Sequence, residues 1–129
     1  MPTFEQYRTR RDYLLIYAEL ITAARYRGVV TYQHLARLAG LPLRGSNMGK
    51  EIGMYLGAVS EAEHTLGRPL LSVLAISTRD SPGRGFFGIA KKLEKFSGST
   101  REDKKDFWLK EREAVYKTWK PSFPRQGGG

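Results

Sequence analysis

Apolar residues recur at steps of three and four along most of this chain, so helices dominate the expected fold. From Phe4 to about Arg27 no glycine or proline interrupts the pattern, and Leu14, Tyr17, Ala18, Ile21 and Ala24 share one face. One long helix is expected there. Its middle, Tyr13 to Ile21, is apolar on nearly every side, which predicts burial against several elements. Gly28 breaks it, and the β-branched Val29 and Val30 suit a short strand. Thr31 then caps a brief helix, its hydroxyl accepting a free backbone N–H two or three residues on. Leu35, Leu38 and Ala39 fall on one side of that helix, which Gly40 and Pro42 end. After a turn, Ser46 or Asn47 caps a second helix on which Met48, Ile52, Leu56, Val59, Ala62 and Leu66 form a stripe closed by Gly67. Two one-faced helices on a tight connection make a helix-turn-helix unit.

Leu70–Ile76 is apolar and partly β-branched, residues 78–85 are dense in turn formers, and Phe86–Ile89 reads as a returning strand. The expectation is a β-hairpin whose tip carries Arg79 and Arg84. Ala90–Phe96 is expected to form a short helix with Lys91, Lys92 and Lys95 outward. Thr100 with Asp103 starts a last helix, on which Phe107, Trp108, Glu111, Ala114, Val115, Thr118 and Trp119 share a face and the tryptophans close the core. The predicted fold is mainly α with a small β-hairpin: a single-domain winged helix-turn-helix over residues 1–120, with a long N-terminal helix and a C-terminal helix. Residues 121–129, ending in three glycines, are expected to be a disordered tail.

Charge adds a partner class to this picture. Lys and Arg number 22 against 13 Asp and Glu, a formal charge of +9, and residues 91–129 hold 11 of the basic residues against 6 acidic ones. Such an excess favours a polyanion. The chain has 129 residues and no cysteine, which removes disulfides, thiolate metal sites and thiol nucleophiles. No stretch has the roughly 20 uncharged apolar residues of a membrane span, so a cytoplasmic protein is expected, nucleoid-associated if it binds DNA. His34 has no Asp, Glu or second His at ligand spacing, and His64 is thirty positions away, so neither a metal nor another cofactor is expected. Enzymatic motifs are missing too: no Gly-rich phosphate loop follows a strand and no Ser-His-acid pattern is present. A nuclease of dispersed residues, Asp80 with Glu61 and Lys92, is the one catalytic alternative.

Gly49, Gly53 and Gly57 recur every fourth residue of the second unit helix, each at a cost of about 1 kcal/mol against alanine. Glycine lets another backbone approach the helix axis closely. Packing against the first helix is expected for Gly53 and Gly57. Gly49 lies near the helix start beside Asn47 and Lys50, where free N–H groups and the dipole favour phosphate.

The order Val30-Thr31-Tyr32, Leu35-Ala36, Gly40, Pro42, Gly53, Leu56, Pro69 and Gly83 to Phe86, followed by a terminal helix, resembles the DNA-binding domain of alkylguanine-DNA alkyltransferases and alkyltransferase-like proteins. The resemblance covers about two thirds of the chain. It implies that Tyr32 stands where a tyrosine helps rotate a nucleotide out of the duplex. Lys50 holds the place of an arginine that fills the resulting gap, keeping the charge without the planar group. Leu70 and Leu71 replace the family's acceptor cysteine and its histidine, so methyl transfer to a thiol has no acceptor here.

The expected function is therefore non-catalytic binding of double-stranded DNA. Tyr32, Gln33, Arg44, Ser46, Asn47, Gly49 and Lys50 serve as helix-unit contacts, Arg79 and Arg84 as the wing, and Lys91 and Lys92 as phosphate contacts. The alternative is a protein-interaction or dimerisation module, its surface made by Phe86, Phe87 and the tryptophan helix.

Overall fold

The computed structural model describes residues 3–42, 46–77, 82–83 and 85–122. Among these residues six α-helices and one short strand pair make the fold mainly helical with a small β element.

The expected long N-terminal helix is two helices, α1 (Phe4–Arg8) and α2 (Arg11–Arg25). The Thr9 hydroxyl donates back to the Gln6 carbonyl at 2.7 Å, and Arg10 is extended. Threonine's competition for backbone groups opens the break, and tertiary contacts hold it. Tyr7 of α1 is buried, with its ring edge-on to Tyr55 at 4.9 Å and its hydroxyl donating to Glu51 at 2.9 Å. The Arg10 guanidinium covers the Tyr7 ring at 3.9 Å. On α2, Tyr13, Ile16, Leu20 and Ala24 face the core. Leu14 and Leu15 do not. They are exposed, contrary to the expectation that this apolar segment is covered on several sides.

Strand β1 (Val30–Thr31) pairs in parallel with β2 (Ala75–Ile76), Val30 opposite Ala75 and Thr31 opposite Ile76. Thr31 also caps α3 (Tyr32–Leu38), accepting the His34 N–H at 3.1 Å. At the exit of α3, Gly40 takes φ +67°, and the Leu41 N–H reaches back to the Ala36 carbonyl at 2.9 Å. This is the left-handed helix end that glycine permits. Helix α4 (Ser46–Thr65) packs on α3 and buries Ile52, Tyr55, Leu56, Ala58 and Val59, whereas Leu66, counted in the apolar stripe, is exposed.

Two sequence expectations change between Leu70 and Ile89. Leu71–Leu74 forms a 3-10 turn, and only Ala75–Ile76 is strand. Leu70, Leu71, Val73 and Leu74 are all fully buried between α2, α4 and α6 (Arg101–Thr118). An alternating strand offers one face to a core, and this run needs burial on every side, so the tighter turn suits it. Its backbone is satisfied by α6: the Trp108 indole N–H donates to the Val73 carbonyl at 3.0 Å, and Glu111 accepts the Leu70 N–H at 2.8 Å. The expected returning strand is helix α5 (Gly85–Lys92), because Phe86 and Ala90 point into the core at helical spacing. Phe86, Phe87, Phe96 and Phe107 then stack together. Of the hairpin, one antiparallel bridge between Ile76 and Pro82 is present among the described residues. The capping box of Thr100 and Asp103 starts α6 as expected, and Trp108 is buried. Among the described residues no helix is long and apolar enough to cross a membrane.

The glycines of α4 give a test with opposite signs. A Cβ on Gly57 would fall 2.3 Å from the Phe4 ring, whereas one on Gly53 meets nothing within 4 Å. Gly53→Ala should stabilise the fold by about 0.5–1 kcal/mol, and Gly57→Ala should be about 1–2 kcal/mol less stable than Gly53→Ala. In a Phe4→Ala background the difference should vanish, read from urea unfolding as a double-mutant cycle.

Candidate nucleic-acid interface

The first turns of α4 turn Met48 and Ile52 toward the core and leave a polar face outward. Asn47 and Lys50 are exposed, and the positions of Gly49 and Gly53 are open space on the same helix. The expectation that Gly53 packs against the first helix is therefore corrected, since only Gly57 is covered, by Phe4. With no side chain at 49 or 53, the helix backbone can be approached directly there. Gln33 is exposed on the first turn of α3.

Helix α5 lies against α4 and ends in Lys91 and Lys92, both exposed. The Lys92 ammonium sits 5.3 Å from the centre of the Phe4 ring, the ring that covers Gly57. Lys92 is thereby held near the glycine positions of α4, one helix turn beyond Gly53. The Lys91 ammonium stands 5.8 Å from the Phe96 ring. The part played by Phe4 has no local sequence signal, because Phe4 and Gly57 meet only through the break at Thr9 and Arg10. Arg44, Arg79 and Arg84, the side chain of Ser46, and residues 123–129 lie outside the described residues.

Five carboxylates are paired with arginine or lysine within the fold. Glu61 binds Arg8 at 3.0 Å, Glu51 binds Arg10 at 3.5 Å, and Glu113 binds Arg27 at 2.9 Å. Glu63, fully buried, accepts two hydrogen bonds from Arg68, at 2.9 and 2.7 Å, and one from the Tyr17 hydroxyl. Glu111 takes Lys95 at 2.6 Å. Lys50, Lys91 and Lys92 have no acidic partner within ion-pair distance among the described residues. Removing carboxylates to internal pairs leaves the positive excess on the surface.

Tyr32 is the exception among the expected contacts. Its hydroxyl lies against the backbone of Gly83, where an added Cβ would sit 1.8 Å from the oxygen. Burial pushes its phenol up to about 12. The side chain is packed inward and does not stand free beside Gln33. His34 is likewise engaged, at 3.1 Å from Glu19, and no cluster of three metal-ligating side chains occurs among the described residues. Of the dispersed nuclease set, Glu61 is held by Arg8, and Asp80 lies outside the described residues. Phe86, placed on an interaction surface in the alternative reading, is core, and Trp108 is core as the sequence predicts.

Compared with protein-family models, curated proteins and solved structures, the chain gives no match.

The Tyr32 environment predicts an alkaline transition. Its folded pKa of about 12 stands above the ordinary value of 10.0. The unfolded chain therefore loses this proton first, and stability falls as pH rises from 10 toward 12. Tyr32→Phe should flatten that part of the pH–stability curve, measured by denaturant unfolding across the window. Phenolate absorbance should lose one component titrating near 12.

Proposed function

We propose that this chain is a non-catalytic binder of double-stranded DNA, engaging the phosphate backbone with the start of α4 and the basic end of α5. One observation carries the reading: Lys50 and Asn47 stand exposed on the first turns of α4 beside two glycine positions open to solvent. A helix start offers unpaired N–H groups and a positive dipole end to an anion. The bare backbone at Gly49 and Gly53 admits a sugar-phosphate chain closer than any side chain would. Gln33 on the first turn of α3 and Lys91 and Lys92 on the last turn of α5 extend the contact on either side. Neutralising phosphates releases counterions, so the affinity is mainly electrostatic and weakly dependent on sequence.

The structural elements favour a helix-turn-helix contribution, since α3 packs on α4 and the Gly40 helix end turns the chain between them. The resemblance to alkyltransferase-like DNA-binding domains points the same way. Nucleotide rotation by Tyr32 forms no part of the proposal, because that side chain is packed against Gly83.

Fluorescence anisotropy with a labelled duplex should give binding in about the micromolar range at low salt, with log K falling linearly in log salt. Lys50→Ala and Lys92→Ala should each reduce the magnitude of that slope by about one. Gly53→Ala should weaken binding several-fold while leaving the fold as stable as before or more so. No affinity at low salt, or a Lys50→Ala/Lys92→Ala double variant that binds as the parent does, would exclude the reading.

A further inference from the structure

The outward side of α2 carries an apolar stripe that the rest of the fold leaves uncovered. Leu14 is 66% exposed, Leu15 43% and Tyr26 79%, with Ala18 and Thr22 exposed between them. The spacing is that of one helix face running about 18 Å. The stripe continues past the helix end to Val29, 38% exposed. Alongside it lies an open groove of about 390 Å³ between α2 and the start of α3. Thr22, Ala23, Tyr26, Val29 and Val30 line its apolar part, and the Glu19–His34 hydrogen bond closes one side. Isolated exposed leucines need no explanation, but a continuous stripe beside a groove does.

Charge identifies what fits. Arg11 stands at one end of the stripe and Arg25 at the other, both exposed, within about 40° of each other around the helix. Neither has an acidic partner within ion-pair distance among the described residues. A second copy would set arginine against arginine in either direction of helix crossing, and each copy carries a net +9. The geometry points to a different occupant: an amphipathic helix of a partner protein, apolar along its middle and acidic at both ends. Its carboxylates meet Arg11 and Arg25, and one of its apolar side chains enters the groove. This surface shares no residue with the α4 and α5 cations, so its test is separate from that of duplex binding.

A displayed library of helical peptides about 18 residues long, selected on the full-length chain, reads the occupant directly. Enriched peptides should carry apolar residues at three- and four-residue steps with Asp or Glu at each end. Leu14→Ser combined with Tyr26→Ser, both at exposed positions, should lower affinity for them at least about tenfold with unchanged circular dichroism. Arg11→Glu combined with Arg25→Glu should weaken acidic-ended peptides by about tenfold and favour lysine-ended versions. Failure to enrich any peptide, enrichment without acidic ends, or affinity unmoved by either pair of substitutions would overturn the inference. So would self-association in sedimentation equilibrium, or adsorption to phosphatidylserine vesicles, that the Leu14→Ser/Tyr26→Ser variant abolishes.

Discussion

The fold depends on the burial of five residues, Leu70 to Leu74, whose backbone is held by side chains of a helix thirty or more positions later in sequence. Four leucine and valine side chains fully withdrawn from water contribute strongly, on the order of 1.5–3 kcal/mol each. That gain requires partners for the backbone groups buried with them. Trp108 and Glu111 supply two, and the Glu111 carboxylate is itself paired with Lys95. The turn then delivers Ala75 and Ile76 beside Val30 and Thr31. Thr31 is both the end of β1 and the cap of α3, so the position of α3 is fixed by this pairing. The packing of α4 on α3 and on the turn carries the constraint to the exposed first turns of α4.

Electrostatics divides the molecule in a consistent way. Five carboxylates on α4 and α6 hold elements together: Glu51 and Glu61 fasten the α1 region, Glu63 fastens Arg68 and Tyr17, and Glu111 and Glu113 fasten Lys95 and Arg27. The Glu63 group is the most buried of these, and desolvation with the neighbouring carboxylate raises the Tyr17 phenol far above its ordinary range. Exposed pairs of this kind contribute little to stability. Each pair removes one charge of either sign, so the net excess of +9 stays with the groups left unpaired.

Elements with local signals were legible in the sequence. Thr31 and Thr100 cap the helices they were expected to cap, and Gly40 and Gly67 take the positive φ that a glycine at a helix end suggests. The errors arose where tertiary contacts outweighed local pattern. In the run from Phe4 to Arg27 the only local mark of the break is Thr9, a weak signal by itself, and what holds the break open is Tyr7 reaching Glu51 and Tyr55. Leu70–Ile76 and Phe86–Ile89 are short apolar runs of a length that strand, 3-10 turn and helix can share, and only their neighbours decide between them. On the candidate surface, Asn47 and Lys50 were legible as polar positions beside Gly49, and Lys91 and Lys92 as outward-facing lysines. Tyr32 was misplaced because its packing against Gly83 joins residues 51 positions apart.

Two faces with different chemistry follow from this arrangement, a cationic one on α4 and α5 and an apolar one on α2. Titrating a short DNA duplex into isotopically labelled protein, with backbone amide shifts followed residue by residue, tests the assignment of the first most directly. The account predicts shifts concentrated from Asn47 to Gly53 and at Lys91 and Lys92, with the amides of Leu14 to Tyr26 unmoved. Shifts centred on α2, or none at low salt, would contradict it.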